Sequence, residues 1–167
     1  MPGASSASIE QLNELHAAEE HSAEVLPQLA EAASSPELAA IFRVHGKQTG
    51  EHVSRLDRVF KELGVKPRPR ARAETAAMKG LYDDCMKLAR SKAEPHVRDA
   101  ALIAVAQHVE HDEIAGYGCA RTWADLLGHE SAATELRKTL ADERKADTDL
   151  TRLAESLNKA ALSAASA

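Results

Sequence analysis

The sequence predicts an all-α protein in which two antiparallel helical hairpins form a four-helix bundle, with an additional short helix in the crossover. Aromatic residues make up only 3% of the chain, and Ala, Leu, Glu, Lys and Arg dominate it, a balance typical of helical bundles. Apolar residues recur three and four positions apart through most of the sequence, which places them on one face of a helix. Residues that begin or end helices, such as Pro36 and Gly64, divide the chain into segments of helical length.

Five predicted helices follow from these apolar stripes and their boundaries. They span residues 8–34, 36–63, 74–89, 95–127 and from 131 to beyond 157. Ser8 and Ser35 are predicted N-caps of the first two helices, and Gly64 and Gly128 follow the last apolar residues of the second and fourth. Because the turns near Ser34 and Gly128 are very short, helices 1 and 2 form one antiparallel pair and helices 4 and 5 form another.

Length and charge limit the class of protein. At 167 residues the chain fits one domain, which we assign to residues 8–160 with flexible termini at 1–7 and 161–167. The net charge of −5 gives no general attraction for nucleic acid, and the local basic run at 66–72 is predicted to be a solvated loop. No segment resembles a membrane span or a signal peptide, so we expect a soluble cytoplasmic protein that binds neither nucleic acid nor membrane.

The two cysteines, Cys85 and Cys119, lie on different predicted helices without a paired-cysteine motif. This spacing favours neither a disulfide nor a zinc site. We expect both to be reduced core residues that react slowly with thiol reagents.

Polar residues interrupt the middle of every long apolar stripe. In helix 2, His45, Gln48 and His52 lie between two runs of core residues, and burying such groups without partners costs about 1 to 3 kcal/mol each. The other long helices carry carboxylates at the corresponding inward positions, namely Glu19 in helix 1, Glu110 and Glu113 in helix 4, and Glu143 and Asp147 in helix 5. Groups in the interior are therefore expected to pair with one another or with a bound ion.

These interruptions lie at one level of the bundle, because height in an antiparallel hairpin is set by the distance from its turn. Glu19 lies 15 residues before Ser34, and His52 lies 17 residues after Ser35. In the second hairpin, Glu113 lies 15 residues before Gly128. Fifteen residues correspond to about 22 Å at 1.5 Å per residue, so the two hairpins bring their polar groups into the same layer.

Several carboxylates in one small volume repel each other, and that repulsion raises their pKa values. Divalent or trivalent cations remove the repulsion, and carboxylate oxygen with imidazole nitrogen suits iron or manganese. Any single inward glutamate has an ordinary structural explanation, so the prediction depends on the agreement of heights among all four helices. The predicted metal ligands are Glu19, Gln48, His52, Glu110, Glu113, Glu143 and Asp147.

Several motifs between Leu12 and Leu157 resemble one family of proteins. They are His45, Thr49 and residues 53–60 (VSRLDRVF), 77–81 (AMKGL), 98–103 (RDAALI), 109–118 (VEHDEIAGYG) and 139–147 (TLADERKAD). On these motifs the chain is similar to the YciE/YciF family of bacterial stress-associated ferritin-like proteins, and the 109–118 block is the most specific. The resemblance implies a five-helix ferritin-like domain, a homodimer and a centre of two iron or manganese ions.

The resemblance also implies which residues bind the ions. Carried over by position, the ligands are Glu19, Glu110, Glu113, Glu143 and, one turn later, Asp147. Helix 2 departs from the family pattern, which has a Glu where this chain has Gln48 and a Gln where it has His52. Because a carboxylate is lost and an imidazole gained, a single ion or a zinc ion in a rearranged site remains an alternative to two iron or manganese ions.

Three functions remain open on the sequence. The first is a metal-dependent redox protein of the stress response that reduces a small oxidant, dioxygen or peroxide, with Tyr117 beside the ions. The second is a non-catalytic helical stress or interaction protein whose metal site has decayed, which Gln48 favours. Cage-type iron storage is the weakest, because nothing in the sequence identifies the many-subunit assembly that a mineral core requires.

Overall fold

The computed structural model describes residues 6–165, and the described residues form six helices without a strand. The helices are α1 (Ser6–Ala32), α2 (Pro36–Leu63), α3 (Arg70–Ala73), α4 (Ala76–Ala89), α5 (Pro95–Leu126) and α6 (Glu130–Ala165). The prediction of an all-α bundle with helix in the crossover is confirmed. None of the described helices is long and apolar enough to cross a membrane.

Several helix bounds differ from the predicted ones by one or two residues, and the crossover contains an additional turn of helix. The segment predicted as a loop contains the single turn α3, because Arg72 and Glu74 donate backbone hydrogen bonds to Pro69 and Arg70. The first helix begins at Ser6, two residues before the predicted cap, and the last continues to Ala165. The predicted flexible termini lie partly outside the described residues, and the described part of each is helical.

Glycines in the left-handed conformation end α2 and the α5 segment. Gly64 has a φ of 71° and Gly128 a φ of 78°, a conformation that a side chain disfavours. After α5, the amides of Gly128 and His129 donate to the carbonyls of Asp125 and Ala124 at 3.2 and 2.9 Å, which satisfies carbonyls that the helix leaves without partners. The turn at Gly64 thus directs the chain from α2 into the crossover, and the turn at Gly128 directs it from α5 into α6.

The four long helices form a closed ring in which α1 packs against α2, α2 against α6, α6 against α5, and α5 against α1. The crossover helix α4 lies outside the ring against α1 and α5. Two apolar cores fill the bundle, one that includes Leu38, Phe42 and Leu102 near the α1–α2 turn and one that includes Leu56 and Leu136 near the α5–α6 turn. The polar interruptions lie between them.

A buried carboxylate holds the α1–α2 turn against the start of α5. Asp99 is fully buried, and it accepts hydrogen bonds from the backbone amides of Ser34 at 2.9 Å and Ser35 at 2.7 Å. These amides lie between two helices, where they have no helical partner. Asp99 therefore fixes one hairpin onto the other at this end of the bundle.

We expect Asp99→Ala to lower the free energy of unfolding by about 1 to 3 kcal/mol, because it leaves two amides at the turn without an acceptor. Urea unfolding followed by circular dichroism measures the change. The control is Asp125→Ala, which removes a partly exposed carboxylate paired with Arg137 and Arg121 and should cost less than about 1 kcal/mol. Equal losses in the two variants would contradict the assigned role of Asp99.

The two cysteines differ in exposure. Cys85 is buried in the first core, as predicted, and burial raises the pKa of its thiol to about 12. Cys119 is exposed, so the prediction that it is a core residue was wrong. The apolar residues around position 119 include Tyr117 and Ala120, which are buried, and Cys119 lies on the opposite side of the same helix.

We therefore expect the thiol of Cys119 to react rapidly with a disulfide reagent in the native protein. Cys85 should react only after unfolding, because burial disfavours its thiolate and shields it from the reagent. Stopped-flow absorbance with Ellman's reagent counts the two phases. Cys119→Ser should remove the fast phase, and Cys85→Ser should leave it intact. A fast phase that persists in Cys119→Ser would refute this assignment.

Candidate metal centre

A buried polar layer separates the two apolar cores. Its members come from all four long helices of the ring and each is at most 4% exposed: Glu19 from α1, His45 and His52 from α2, Glu110 and Glu113 from α5, and Glu143 from α6. They form two overlapping groups, and within each group one ligand atom per residue lies within 4.8 Å of the others. The first group contains His45, Glu110, Glu113 and Glu143, and the second contains Glu19, His52 and Glu143.

Glu143 joins the two groups because its two oxygens face different histidines. Its Oε2 lies 3.4 Å from His45 Nε2, and its Oε1 lies 2.8 Å from His52 Nδ1. His45 Nε2 is also 3.1 Å from Glu110 Oε1, and His52 Nδ1 is 3.3 Å from Glu19 Oε1. Each imidazole thus presents one nitrogen to two carboxylates.

Many carboxylate oxygens and imidazole nitrogens of this layer make no hydrogen bond. Among the described residues, both oxygens of Glu143, His52 Nδ1, and the Oε2 atoms of Glu19, Glu110 and Glu113 are buried and make no hydrogen bond. The closest pair, at 2.8 Å, lies within ion-pair distance without the alignment of a hydrogen bond. Buried polar atoms are ordinarily satisfied, so the donor set fits a cation held by carboxylate oxygens and imidazole nitrogens.

Burial makes the carboxylates of this layer weak acids. Desolvation, followed by the charges of Glu19, Glu143 and Glu110, raises the pKa of Glu113 well above its ordinary value. Burial also raises the pKa values of Glu19 and Glu143, although the nearby imidazole of His52 opposes the shift. The metal-free layer therefore retains protons that exposed glutamates lose.

The two histidines hold protons as well. Burial alone would lower the pKa of His52, but Glu143 and Glu19 outweigh it and raise the pKa to about 10. Burial opposes protonation of His45 in the same way, and neighbouring carboxylates, Glu110 first, raise its pKa to about 9. Both imidazoles are cationic at neutral pH when no metal is bound, so a metal ion must displace their protons.

Two buried tyrosines support the outer oxygens of the layer. Tyr117 donates a hydrogen bond of 2.6 Å to Glu19 Oε1. Tyr82, which comes from the crossover helix α4, donates to the carbonyl of Ala18 at 2.8 Å and lies 2.8 Å from Ser22 Oγ. Glu113 Oε1 is 3.4 Å from that serine oxygen and 3.5 Å from the tyrosine oxygen, so its partners are weak ones.

The partly exposed carboxylate of Asp142 orients the ring of His52. Asp142 Oδ2 lies 3.3 Å from His52 Nε2 and accepts a hydrogen bond of 2.7 Å from Arg55 Nη1. Since a carboxylate accepts from Nε2–H, this contact leaves the Nδ1 atom facing Glu19 and Glu143. Carboxylates fix the ring of metal-binding histidines in this way.

The structure brings together five of the seven residues predicted as ligands, namely Glu19, His52, Glu110, Glu113 and Glu143. Asp147 belongs to neither group among the described residues. The Asp147 carboxylate instead accepts from Gln107 Nε2 at 2.8 Å and lies 3.2 Å from His111 Nε2, because its position on α6 turns it toward the partly exposed side of α5. Gln48 is half-buried at the edge of α2 and α6.

His45 is the member that the predicted ligand set omitted. The sequence places it on the inward face of the interrupted stripe, but the predicted ligands from that helix are only Gln48 and His52. The missed signal is its spacing of seven residues from His52, which places both imidazoles on the same face two turns apart. Their ring centres are 6.1 Å apart.

The fold and this layer define a class of protein, the ferritin-like helical bundles with a cluster of buried carboxylates and histidines. The family described as "Domain of unknown function (DUF892)" matches residues 5–163. The chain therefore belongs to that family. This confirms the resemblance drawn from the sequence motifs.

Relatives with known names support this assignment. Protein YciF of Escherichia coli (strain K12) is 39% identical over 144 residues, which cover 86% of this chain and 85% of that protein. The crystal structure of the E. coli stress protein YciF matches with a TM-score of 0.88 at 35% identity, covering 95% of this chain and 99% of that chain. A ferritin-like, diiron-carboxylate protein from Bacillus anthracis str. Ames matches with a TM-score of 0.71 at 20% identity over 92% of this chain and 99% of that chain, which shows a shared fold.

We expect the metal-free protein to lose stability as the pH rises from about 6.5 to about 9. The unfolded histidines titrate near 6.5, whereas the folded ones titrate at about 9 and about 10. Their contribution is therefore complete below pH 6.5 and is lost as the pH rises through the folded values, with a slope of up to about 1.4 kcal/mol per pH unit for each histidine. Urea unfolding in chelator at successive pH values measures the slope.

The control for this prediction is His52→Gln, which removes one titrating group at similar size. Its slope between pH 6.5 and 9 should be clearly smaller than that of the wild type. A slope unchanged by the substitution would show that His52 does not carry the proton assigned to it.

Proposed function

We propose that this chain binds two iron or manganese ions in the buried polar layer and uses them to reduce dioxygen or peroxide during stress. The ligands would be Glu19, His45, His52, Glu110, Glu113 and Glu143. The observation that carries the proposal is the set of carboxylate oxygens in this layer that are buried and make no hydrogen bond among the described residues. Such groups are costly in a metal-free protein, and a cation offsets that cost.

The two overlapping groups favour two ions over one. Glu143 belongs to both groups and presents one oxygen to each histidine, which is the role of a carboxylate shared between ions. A single ion would occupy one group and leave the other with orphaned oxygens. When bound, iron or manganese supplies the electrons that reduction of dioxygen or peroxide requires.

The chain's own side chains have distinct roles in this proposal. The glutamates and histidines bind, and Asp142 keeps the His52 ring in the orientation that presents Nδ1. Tyr117 holds the Glu19 carboxylate through its hydroxyl. The apolar cores above and below the layer exclude bulk water, which strengthens every electrostatic contact within it.

The distances between histidines and glutamates also support a second, non-catalytic function. The pairs His45–Glu110 and His52–Glu143, at 3.1 and 2.8 Å, neutralise part of the charge without any ion. A non-catalytic stress protein with a decayed site would rely on these ion pairs alone. The two functions differ in what happens when one carboxylate is removed.

The proposal also covers the location, the oligomeric state and the domain bounds of the protein. We propose a cytoplasmic homodimer whose single domain covers residues 8–160, in accord with the family resemblance. A role in stress is supported by the name of the E. coli relative, which is called a stress protein.

We expect Fe(II) or Mn(II) to raise the melting temperature of chelator-treated wild type, by an amount equivalent to about 2.7 kcal/mol when the ion is at 100 times its dissociation constant. Glu113→Leu should abolish this shift. Without metal, the variant should be at least as stable as the wild type, because Glu113 has only weak hydrogen bonds at 3.4 and 3.5 Å and its burial is costly. Thermal melts with chelator and with added ion measure both effects.

The matched control is Glu62→Leu on the exposed side of α2, which should keep the full metal-dependent shift. Elemental analysis of the supplemented protein gives the number of ions per chain independently. A wild type with no metal-dependent shift, together with a Glu113→Leu variant that melts lower in chelator, would contradict the metal proposal and favour the decayed site.

A further inference from the structure

A cavity of about 300 Å³ opens between α2 and α6 next to the polar layer. Its walls are the aliphatic side chains of Ala40, Ile41, Val44 and Ala146, and its polar lining includes His45 and Gln48. His45 belongs to the candidate metal centre, so this cavity connects the layer with the surface of the bundle. Its volume is at the lower end of the range for small-molecule sites.

The polar end of the cavity has unused hydrogen-bonding capacity. His45 is 4% exposed, its Nε2 faces Glu110 and Glu143, and its Nδ1 is buried and makes no hydrogen bond. Gln48, which also lines the cavity, is half-buried. A polar atom that is buried without a partner, such as His45 Nδ1, can gain one from a bound molecule.

The charged groups at the cavity are already paired. Lys145 Nζ lies 2.5 Å from Asp149 Oδ2, one turn along α6. Because these two charges offset each other, they favour a neutral ligand over an ion. Its body must be aliphatic or aromatic to fit the apolar wall, and its single polar group must be able to bond with an amide and an imidazole.

We propose that this cavity binds a small neutral organic molecule carrying one hydroxyl or hydroperoxyl group, with that group at Gln48 and His45. Binding itself needs no metal. If the proposed redox function holds, the cavity is the entry site for the oxidant, and the substrate class is an organic hydroperoxide.

The test uses 2-phenyl-2-propanol, a stable alcohol with the shape of an organic hydroperoxide, and cumene, the hydrocarbon without the hydroxyl. Methyl NMR of metal-free protein should show the alcohol shifting Ile41, Val44 and Ala146 in a saturable way. Gln48→Leu should weaken the alcohol about fivefold, the loss of about one hydrogen bond, and leave cumene unchanged. Equal affinity for both compounds in the wild type would overturn the assignment of the polar end.

A blocking variant tests the location. Ala40→Trp fills the cavity from an exposed position, and Ala141→Trp places the same side chain on an exposed face of α6 outside it. Only Ala40→Trp should abolish the methyl shifts. Absence of any saturable shift in the wild type, or shifts that survive Ala40→Trp, would overturn the proposal.

The competing occupant is a second copy of this chain covering Val44, which is 59% exposed. Light scattering of Val44→Glu distinguishes it, because loss of a dimer in this variant together with no alcohol binding would assign the face to an interface and refute the ligand site. The outcome is separable from that of the proposed function. Metal uptake without alcohol binding refutes only the cavity, and alcohol binding without metal uptake refutes only the metal centre.

Discussion

Four glutamates are buried between two apolar cores, and the rest of the molecule is arranged to tolerate them. The cost of removing carboxylates from water is several kcal/mol for each ion, so their positions are acceptable only with compensating charge. His45 and His52 supply part of it through contacts of 2.8 to 3.4 Å. The carboxylate oxygens that remain without a partner all lie at one level of the bundle, where a positive charge would stabilise them. Closure of the ring of helices by the contacts of α2 with α6 and of α1 with α5 holds them there.

The same constraint explains why the layer lies in the middle of the hairpins. Each half of the bundle has its own apolar core, and a buried acid such as Asp99 near one turn is satisfied by backbone amides. Compensation by amides is available where a chain turns and helical hydrogen bonds are missing. It is not available in the middle of a helix, where all backbone groups are paired. Carboxylates at that level can be neutralised only by protonation, by other side chains or by a bound ion.

Much of the fold and of the layer could be predicted from the sequence, because helix boundaries and hairpin heights depend on local signals. Glu19, Glu110, Glu113, Glu143 and His52 could be found by counting residues from the turns. The rotation of each helix about its own axis could not, since it depends on packing between helices. That rotation places His45 in the layer, and the same uncertainty applied to Asp147 and to the exposed side of Cys119.

The crossover helix α4 contributes Tyr82 to the layer, although α4 lies outside the ring. Its attachment is reinforced by His21, whose ring lies tilted against that of Tyr82 with centres 4.1 Å apart and which pairs with Glu74 just before α4. Peripheral helices open by local unfolding more readily than a closed bundle does. Opening α4 would remove the cover from Ser22 and Glu113 and admit water to one side of the acids. If the layer binds an ion as proposed, its affinity for that ion and the protection of α4 amides from hydrogen exchange are linked quantities, and each reports on the other.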